Sequence, residues 1–157
     1  MNWPYLHTLI NHFPIVLSSV GTAAVVLALI TGRRGVWLFA LATLTLAGVA
    51  IYPAYLTGDN AWHTLRGVWY IERADVQEHD AAASFALLAM FAIGALSGYA
   101  WWRMLKREVL ALPPRWLRVS VVLLAIFSFT VIARTSYLGG EIIHGSPKLV
   151  DSKGPPR

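Results

Sequence analysis

Residues 35–58, "GVWLFALATLTLAGVAIYPAYLTG", contain no charged side chain and are long enough to cross a membrane as one helix. A transmembrane α-helix needs about 20 consecutive, mostly apolar residues. Three further stretches share this pattern, namely 1–32, 81–102 and 119–140, and only Arg134 interrupts the last of them. The chain is therefore predicted to be an integral membrane protein with four spans.

The composition of the whole chain agrees with this prediction. Of the 157 residues, 57% are apolar and 13% are charged, whereas a soluble domain carries about 25% charged residues. The chain has no cysteine, which excludes disulfides, cysteine-ligated iron–sulfur clusters and covalent c-type haem attachment. The formal net charge is +5, but the basic residues lie in short clusters between the spans. These clusters predict membrane orientation, not nucleic-acid binding.

Proline and glycine mark the ends of the predicted helices. We expect four of them, at roughly 6–31, 36–57, 77–102 and 116–138. The expected fold class is all-α, an integral membrane four-helix bundle formed by residues 1–145.

Two segments differ in composition from the spans. Residues 146–157 are polar and rich in proline and glycine, and they are predicted to form a C-terminal tail. Residues 59–73 mix tryptophan, tyrosine and charge, which is typical of a segment at the membrane interface. No internal repeat of useful strength is visible along the chain.

The distribution of charge between the loops predicts the orientation. Four spans place both termini and the loop at 58–79 on one side of the membrane, and the loops near 32–35 and 103–118 on the other. The second side is strongly basic and carries Arg33, Arg34, Arg103, Lys106, Arg107, Arg115 and Arg118 against the single acid Glu108. Positively charged loops stay in the cytoplasm. We expect a multi-pass protein of the bacterial inner membrane with the N-terminus and C-terminus periplasmic.

All five histidines fall on the predicted periplasmic side: His7, His12, His63, His79 and His144. A single interfacial histidine is usually only a polar residue at the wet edge of the bilayer. His12, however, lies more than a turn inside the first span, where an ionisable group is costly and indicates function. His79 opens the third span between Glu78 and Asp80.

The spacing of the first two histidines argues against one small ion bound by this helix. Two ligands from a regular helix to one ion favour positions i and i+4. His7 and His12 are five residues apart and point about 140° apart on a straight helix, although Pro14 could distort it. We expect His12 to face the bundle and His7 to serve a different partner.

Imidazole is a common ligand of haem iron, copper and zinc. A bis-histidine haem takes one ligand from each of two helices, and small residues leave room beside the ligand. His79 is followed by the small residues 81–84. We predict His12 and His79 as the axial ligands of a haem b, with His7 and His144 as the next pair.

The next pair would serve a second haem or another metal, and His63 is the least favoured ligand. Arg134 lies within or near the end of the fourth span and needs a partner. It can snorkel to the interface, pair with an acid, or hold a haem propionate. The acids within expected reach are Asp59, Asp80 and Glu141.

Four pieces of sequence carry a family resemblance: "LHTLINHFPIVL", "LTGDNAW", a histidine heading the third span, and "LGGEIIHG". In this order they resemble a widespread bacterial family of small four-helix membrane proteins of unknown function, sometimes fused to Rieske-type iron–sulfur domains. The positions that match the family's motifs are His7, His12, Asp59, His79, Gly139, Gly140 and His144. The chain departs from the family pattern at Thr8 and at Ser146-Pro147. By analogy the resemblance implies redox work.

The expected function is that of a b-type haem protein, a membrane cytochrome b, that passes electrons at the periplasmic face. The chain lacks a glycine-rich phosphate loop, G-x-S-x-G and H-E-x-x-H, so we expect a subunit of a larger redox complex and not a complete enzyme. Expected partners are membrane lipid and either redox subunits or a periplasmic electron carrier, with a quinone as a further candidate and no nucleic acid.

Two alternatives stay open. One is a copper-binding or zinc-binding membrane protein that uses three or four of the same histidines with Asp59 or Glu141. The other is a structural or assembly subunit without a cofactor.

Overall fold

The computed structural model describes residues 2–68, 71–106 and 112–144, with side chains as far as residue 142. The predicted tail, 146–157, lies outside the described residues. The described helices, in chain order, are α1 (Trp3–Ile10), α2 (His12–Thr31), α3 (Arg34–Leu65), α4 (Arg73–Leu105) and α5 (Arg115–His144).

The predictions of an all-α fold and of four apolar spans are confirmed. The four segments long and apolar enough to cross a membrane are Trp3–Thr31, Arg34–Leu65, Arg73–Leu105 and Arg115–Ile142. By these criteria the chain is a multi-pass membrane protein.

The first span is interrupted at Asn11, where a single helix over 6–31 was expected. Pro14 has no N–H group and cannot donate to the carbonyl of Ile10, so the helix is weakened in this turn. The Asn11 N–H still donates to the carbonyl of His7, so the break is confined to one residue. Beyond it, α1 packs mainly against α3.

The other helices extend beyond the expected bounds. α3 continues to Leu65 instead of ending near residue 57, so 59–65 belong to the helix and not to a separate interfacial segment. α4 begins at Arg73, and Gly67 takes a left-handed φ of 91° in the turn between the two helices. The length of an uncharged run corresponds to the thickness of the bilayer. Each helix then continues beyond the bilayer through polar residues.

Helices α2, α3, α4 and α5 form a closed four-helix bundle in which each helix packs on the next and α5 packs on α2. The largest fully buried apolar side chains in its core are Val25, Trp37, Leu41, Leu44, Met90, Ile93, Met104, Leu117 and Val121. Many large apolar side chains remain exposed around the outside, including Ile30, Val49 and Leu88. An apolar outer surface suits hydrocarbon and not water.

The closest approach in the core is between α3 and α4, at Gly48 and Gly94. A Cβ placed on Gly48 would lie 2.7 Å from the Gly94 Cα and 2.8 Å from the Met90 carbonyl oxygen. A Cβ on Gly94 would lie 2.9 Å from the Gly48 Cα. The two backbones are therefore in direct contact, and any side chain at either position would separate the helices.

The bundle also contains a structural repeat that cannot be recognised from the identities of the residues. Its two halves are the hairpins α2–α3 and α4–α5, and their buried positions recur 72 residues apart between α2 and α4 and 81 residues apart between α3 and α5. Between α2 and α4 the buried pairs are Pro14 and Ala86, Ser18 and Met90, Gly21 and Ile93, Val25 and Ser97, and Ala28 and Ala100. Between α3 and α5 they are Ala40 and Val121, Leu44 and Ala125, Ala47 and Ser128, Ile51 and Ile132, and Ala54 and Thr135. The two hairpins thus present matching faces to the core.

Replacing Gly48 by Ala should lower the free energy of unfolding by about 1–3 kcal/mol, because the new methyl group overlaps backbone atoms of α4. Gly98→Ala is a matched control on α4, since its Cβ would meet only Thr45 side-chain atoms at 3.5 and 3.6 Å. Unfolding in detergent micelles, followed by circular dichroism, measures both. Equal stability of the two variants would contradict close backbone contact at Gly48.

Candidate functional site

The imidazole of His7 binds α3 from the short helix α1. Its Nδ1 lies 3.0 Å from the Ala54 carbonyl oxygen and 3.2 Å from Thr57 Oγ1. A carbonyl oxygen can only accept, so Nδ1 carries the proton. The Thr57 hydroxyl shares its single proton between the carbonyls of Pro53 and Ala54, both at 2.9 Å. This network fixes both the position and the tautomer of the half-buried ring.

The imidazole of His79 makes the equivalent contact between α4 and α5. Its Nδ1 lies 3.0 Å from the Thr135 carbonyl oxygen, so this ring also carries its proton on Nδ1. The Thr135 hydroxyl lies between two acceptors, the Val131 carbonyl of its own helix at 3.0 Å and the Ala82 carbonyl of α4 at 3.2 Å. The imidazole bond and this hydroxyl contact lie side by side where α4 packs against α5.

Each imidazole ring packs against a glycine. This glycine lies four residues after the residue whose carbonyl accepts the hydrogen bond from the ring. A Cβ on Gly58 would lie 3.0 Å from His7 Cε1, and a Cβ on Gly139 would lie 3.0 Å from His79 Cε1. In both cases the next atom is Nδ1, at 3.4 Å. Glycine is needed at these positions because a larger residue would push the imidazole away from the backbone.

The two arrangements occupy equivalent places in the repeated hairpins. His7 and His79 are separated by the same interval as the buried pairs of α2 and α4, and Ala54 and Thr135 are themselves a buried pair of α3 and α5. The end of the bundle that carries His7, Gly58, His79 and Gly139 is called the histidine end below. At this end the same arrangement of imidazole, backbone carbonyl and glycine occurs twice.

The second ring nitrogen of each imidazole remains available. Among the described residues no group makes a hydrogen bond to Nε2 of either His7 or His79. Neither Nε2 is among the fully buried polar atoms without a partner, so each keeps some accessible surface. An imidazole held at Nδ1–H by a carbonyl, with Nε2 free, has the orientation typical of a metal-ligating histidine.

His12 points the other way from its expected direction. The sequence predicted that His12 faces the bundle and that His7 faces elsewhere, but His12 is exposed and its Nδ1 lies 2.6 Å from the Thr8 carbonyl of the same chain segment. The five-residue spacing allows only one of the two rings to face α3, and the packing of α1 on α3 selects His7. The structure thus places His7, not His12, at the site equivalent to that of His79.

The remaining predicted histidines do not join this pair. His63 is exposed in the last turn of α3. His144 is the final residue of α5, and its side chain lies outside the described residues. Among the side chains that are described, no three His, Asp or Glu residues are grouped so that they could hold a metal ion.

Arg134 pairs with Glu78, a partner absent from the expected set of acids. Its Nη2 lies 3.4 Å from Glu78 Oε1, and the two side chains are 70% and 61% exposed. Such an exposed pair contributes little to stability. Glu141 instead accepts a hydrogen bond of 2.8 Å from the Tyr137 hydroxyl. The guanidinium therefore reaches the surface beside His79 and is free to exchange its partner.

The sequence did not identify the backbone carbonyls and glycines that support the two rings. The glycines do lie in two of the pieces that carry the family resemblance, "LTGDNAW" and "LGGEIIHG". Their pairing with His7 and His79 depends on contacts between helices, which spacing along the chain does not reveal. Comparisons with protein-family models, curated proteins and solved structures found no match to this chain.

Gly139→Ala should displace the His79 ring and weaken its bond to the Thr135 carbonyl. We expect the free energy of unfolding to fall by about 1 kcal/mol, since one partly buried hydrogen bond is strained and one close contact must relax. Gly140→Ala is the neighbouring control, because its Cβ would meet nothing within 4 Å. Thermal unfolding of both variants in the same detergent checks this. A larger loss for Gly140→Ala would contradict the contact between Gly139 and the ring.

Proposed function

We propose that this protein is a b-type haem membrane protein that passes electrons at the histidine end of its bundle, with His7 and His79 as the axial ligands. One observation carries the proposal. Both imidazoles donate Nδ1–H to a carbonyl of the neighbouring helix, at 3.0 Å in each case, and both leave Nε2 free. A bis-histidine haem needs two such nitrogens, each from its own helix.

Haem suits this donor set better than a small ion does. A structural zinc site takes four protein ligands, and a catalytic one takes three. The described residues offer two imidazoles with a free Nε2 and no group of three ligands, so a zinc or copper site would need a group beyond the described side chains. Haem iron needs only two ligands from the protein, because the macrocycle supplies the other nitrogens.

The surroundings of the two imidazoles also suit the proposal. When bound, haem b supplies reversible one-electron transfer. The chain's own part is to orient the two rings through the Ala54 and Thr135 carbonyls and to keep each proton on Nδ1. Arg134 lies one residue before Thr135 on an exposed face and offers a guanidinium to a carboxylate such as a propionate.

The proposed orientation of the bundle is supported by its charges. Every acidic side chain among the described residues lies at the histidine end, and the opposite end is basic. This charge distribution supports an orientation with the histidine end in the periplasm of a bacterial inner membrane, as the positive-inside rule expects. The resemblance to a family sometimes fused to Rieske-type domains supports a role as a subunit of a redox complex. A periplasmic electron carrier or a quinone would be its partner in electron transfer.

A structural role without a cofactor is the second candidate, and one observation favours it. The same Nδ1 bonds join α1 to α3 and α4 to α5, and polar side chains often link helices in membranes in this way. In that case the imidazoles would contribute to stability alone.

The visible spectrum of the purified protein tests the proposal. The protein is expressed with a haem precursor, purified in detergent, and measured oxidised and then reduced with dithionite. We expect a Soret band that sharpens on reduction with resolved α and β bands. His7→Ala and His79→Ala should each lose the low-spin spectrum or convert it to high-spin. His12→Ala and His63→Ala are matched controls in which it should persist.

Other outcomes separate the alternatives. Low-spin bands that persist in both His7→Ala and His79→Ala would refute the ligand pair. A colourless protein with stoichiometric copper or zinc by elemental analysis would support the small-ion site instead. A colourless, metal-free protein whose stability falls in these two variants would support the structural role.

A further inference from the structure

The turn between α3 and α4 forms an open cleft at the histidine end of the bundle. Its volume is about 490 Å³, and the described residues that line it are Trp62, Arg66, Gly67, Val68, Ile71 and Arg73. Ligand pockets in proteins have volumes of about 300–1,000 Å³. The cleft is therefore large enough for a small molecule or for the headgroup of a lipid.

Backbone hydrogen bonds hold the turn that lines this cleft. The Val68 N–H donates to the Leu65 carbonyl and the Ile71 N–H donates to the Val68 carbonyl, at 3.1 Å in each case. Gly67 lies in this turn with its φ of 91°, a conformation that glycine adopts at little cost. The shape of the cleft is therefore set by the backbone.

Both charged side chains among the described lining residues are basic, although the acidic residues of the described chain lie at this same end. The Arg66 guanidinium carbon lies 5.7 Å from the centre of the Trp62 ring, which is a cation–π contact. Arg73 is the first residue of α4, where the helix dipole adds positive partial charge. Neither guanidinium has a carboxylate or carbonyl partner among the described residues. The cleft therefore favours an anion.

The apolar lining and the depth of the cleft favour an amphiphilic ligand. Val68 and Ile71 are half-buried and give the cleft an apolar wall. Trp62 lies one helical turn beyond Gly58, the last residue of the uncharged run, which is about 6 Å along the helix. The headgroup layer on each side of a bilayer is about 5–8 Å thick, and tryptophan is enriched there. The cleft is therefore at the level of lipid headgroups.

We propose that this cleft binds the phosphate group of an anionic phospholipid, with Arg66 and Arg73 as its cationic donors. Guanidinium suits phosphate because its N–H groups are spaced to match the phosphate oxygens. The side chains of Val68 and Ile71 suit the apolar part of the same lipid. Basic residues next to a transmembrane helix attract anionic lipids in this way. The inference is independent of haem binding, since none of these residues belongs to the two imidazole sites.

The test uses the full-length protein in a maltoside detergent, which contains no phosphate. Dioleoylphosphatidylglycerol, dioleoylglycerol and inorganic phosphate are titrated separately, and native mass spectrometry measures the affinity of the first molecule bound. We expect phosphatidylglycerol to bind about tenfold or more tightly than either of the others. Equal binding of dioleoylglycerol would overturn the proposal. Equal binding of inorganic phosphate would overturn the lipid source and assign the cleft to free phosphate.

Two variants assign the binding to the cleft. Arg66→Gln and Arg73→Gln each remove one guanidinium from an exposed position, so the unfolding temperature without lipid should not change. Each should weaken phosphatidylglycerol binding by about fivefold, as expected for one charge-assisted hydrogen bond at an exposed site. Unchanged binding in both variants would overturn the assignment.

Arg134→Gln is the matched control, because it removes the same charge from the same end of the bundle. Arg134 pairs with Glu78 and is not among the residues that line the cleft. Its removal should leave phosphatidylglycerol binding within about twofold of the wild type. A loss equal to that of Arg66→Gln and Arg73→Gln would show general charge attraction and contradict a site in the cleft.

Discussion

Close approach to a glycine backbone is the constraint on which this bundle depends. Within a bilayer, lipid tails are as apolar as the side chains, so helices associate through close packing and polar contacts and not through burial from water. At the centre of the bundle, Gly48 and Gly94 bring the backbones of α3 and α4 into contact. This contact sets the distance between the two hairpins and therefore the geometry at both ends.

Close approach to a glycine backbone has a different use at the histidine end. Gly58 and Gly139 admit an imidazole against the helix instead of a second backbone. A polar ring inside a membrane protein must have its hydrogen bonds satisfied, and the Ala54 and Thr135 carbonyls satisfy one nitrogen of each ring. The other nitrogen of each ring has no hydrogen-bond partner among the described residues, and the repeat of the hairpins supplies two such nitrogens.

Part of this arrangement follows from the sequence alone. The uncharged runs predicted four spans because bilayer thickness sets their length, and the loops predicted that the histidines gather at one end. Spacing showed that His7 and His12 point in different directions, but it could not show which of them faces inward. That choice depends on the break at Asn11 and on the packing of α1 against α3, both of which are tertiary effects. The repeat was equally hidden, because its matched positions, such as Ser18 and Met90, share burial and not identity.

Nitrogen-15 NMR of histidine-labelled protein in lipid nanodiscs tests whether His7 and His79 offer Nε2 to haem, first without haem and then with haem bound and reduced. We predict that His7 and His79 both carry the proton on Nδ1 and an unprotonated Nε2 before haem is added. Haem should then shift the two Nε2 signals together while both Nδ1–H signals persist. Protons on Nε2 in the haem-free protein, or haem binding that leaves both Nε2 signals unchanged, would contradict it.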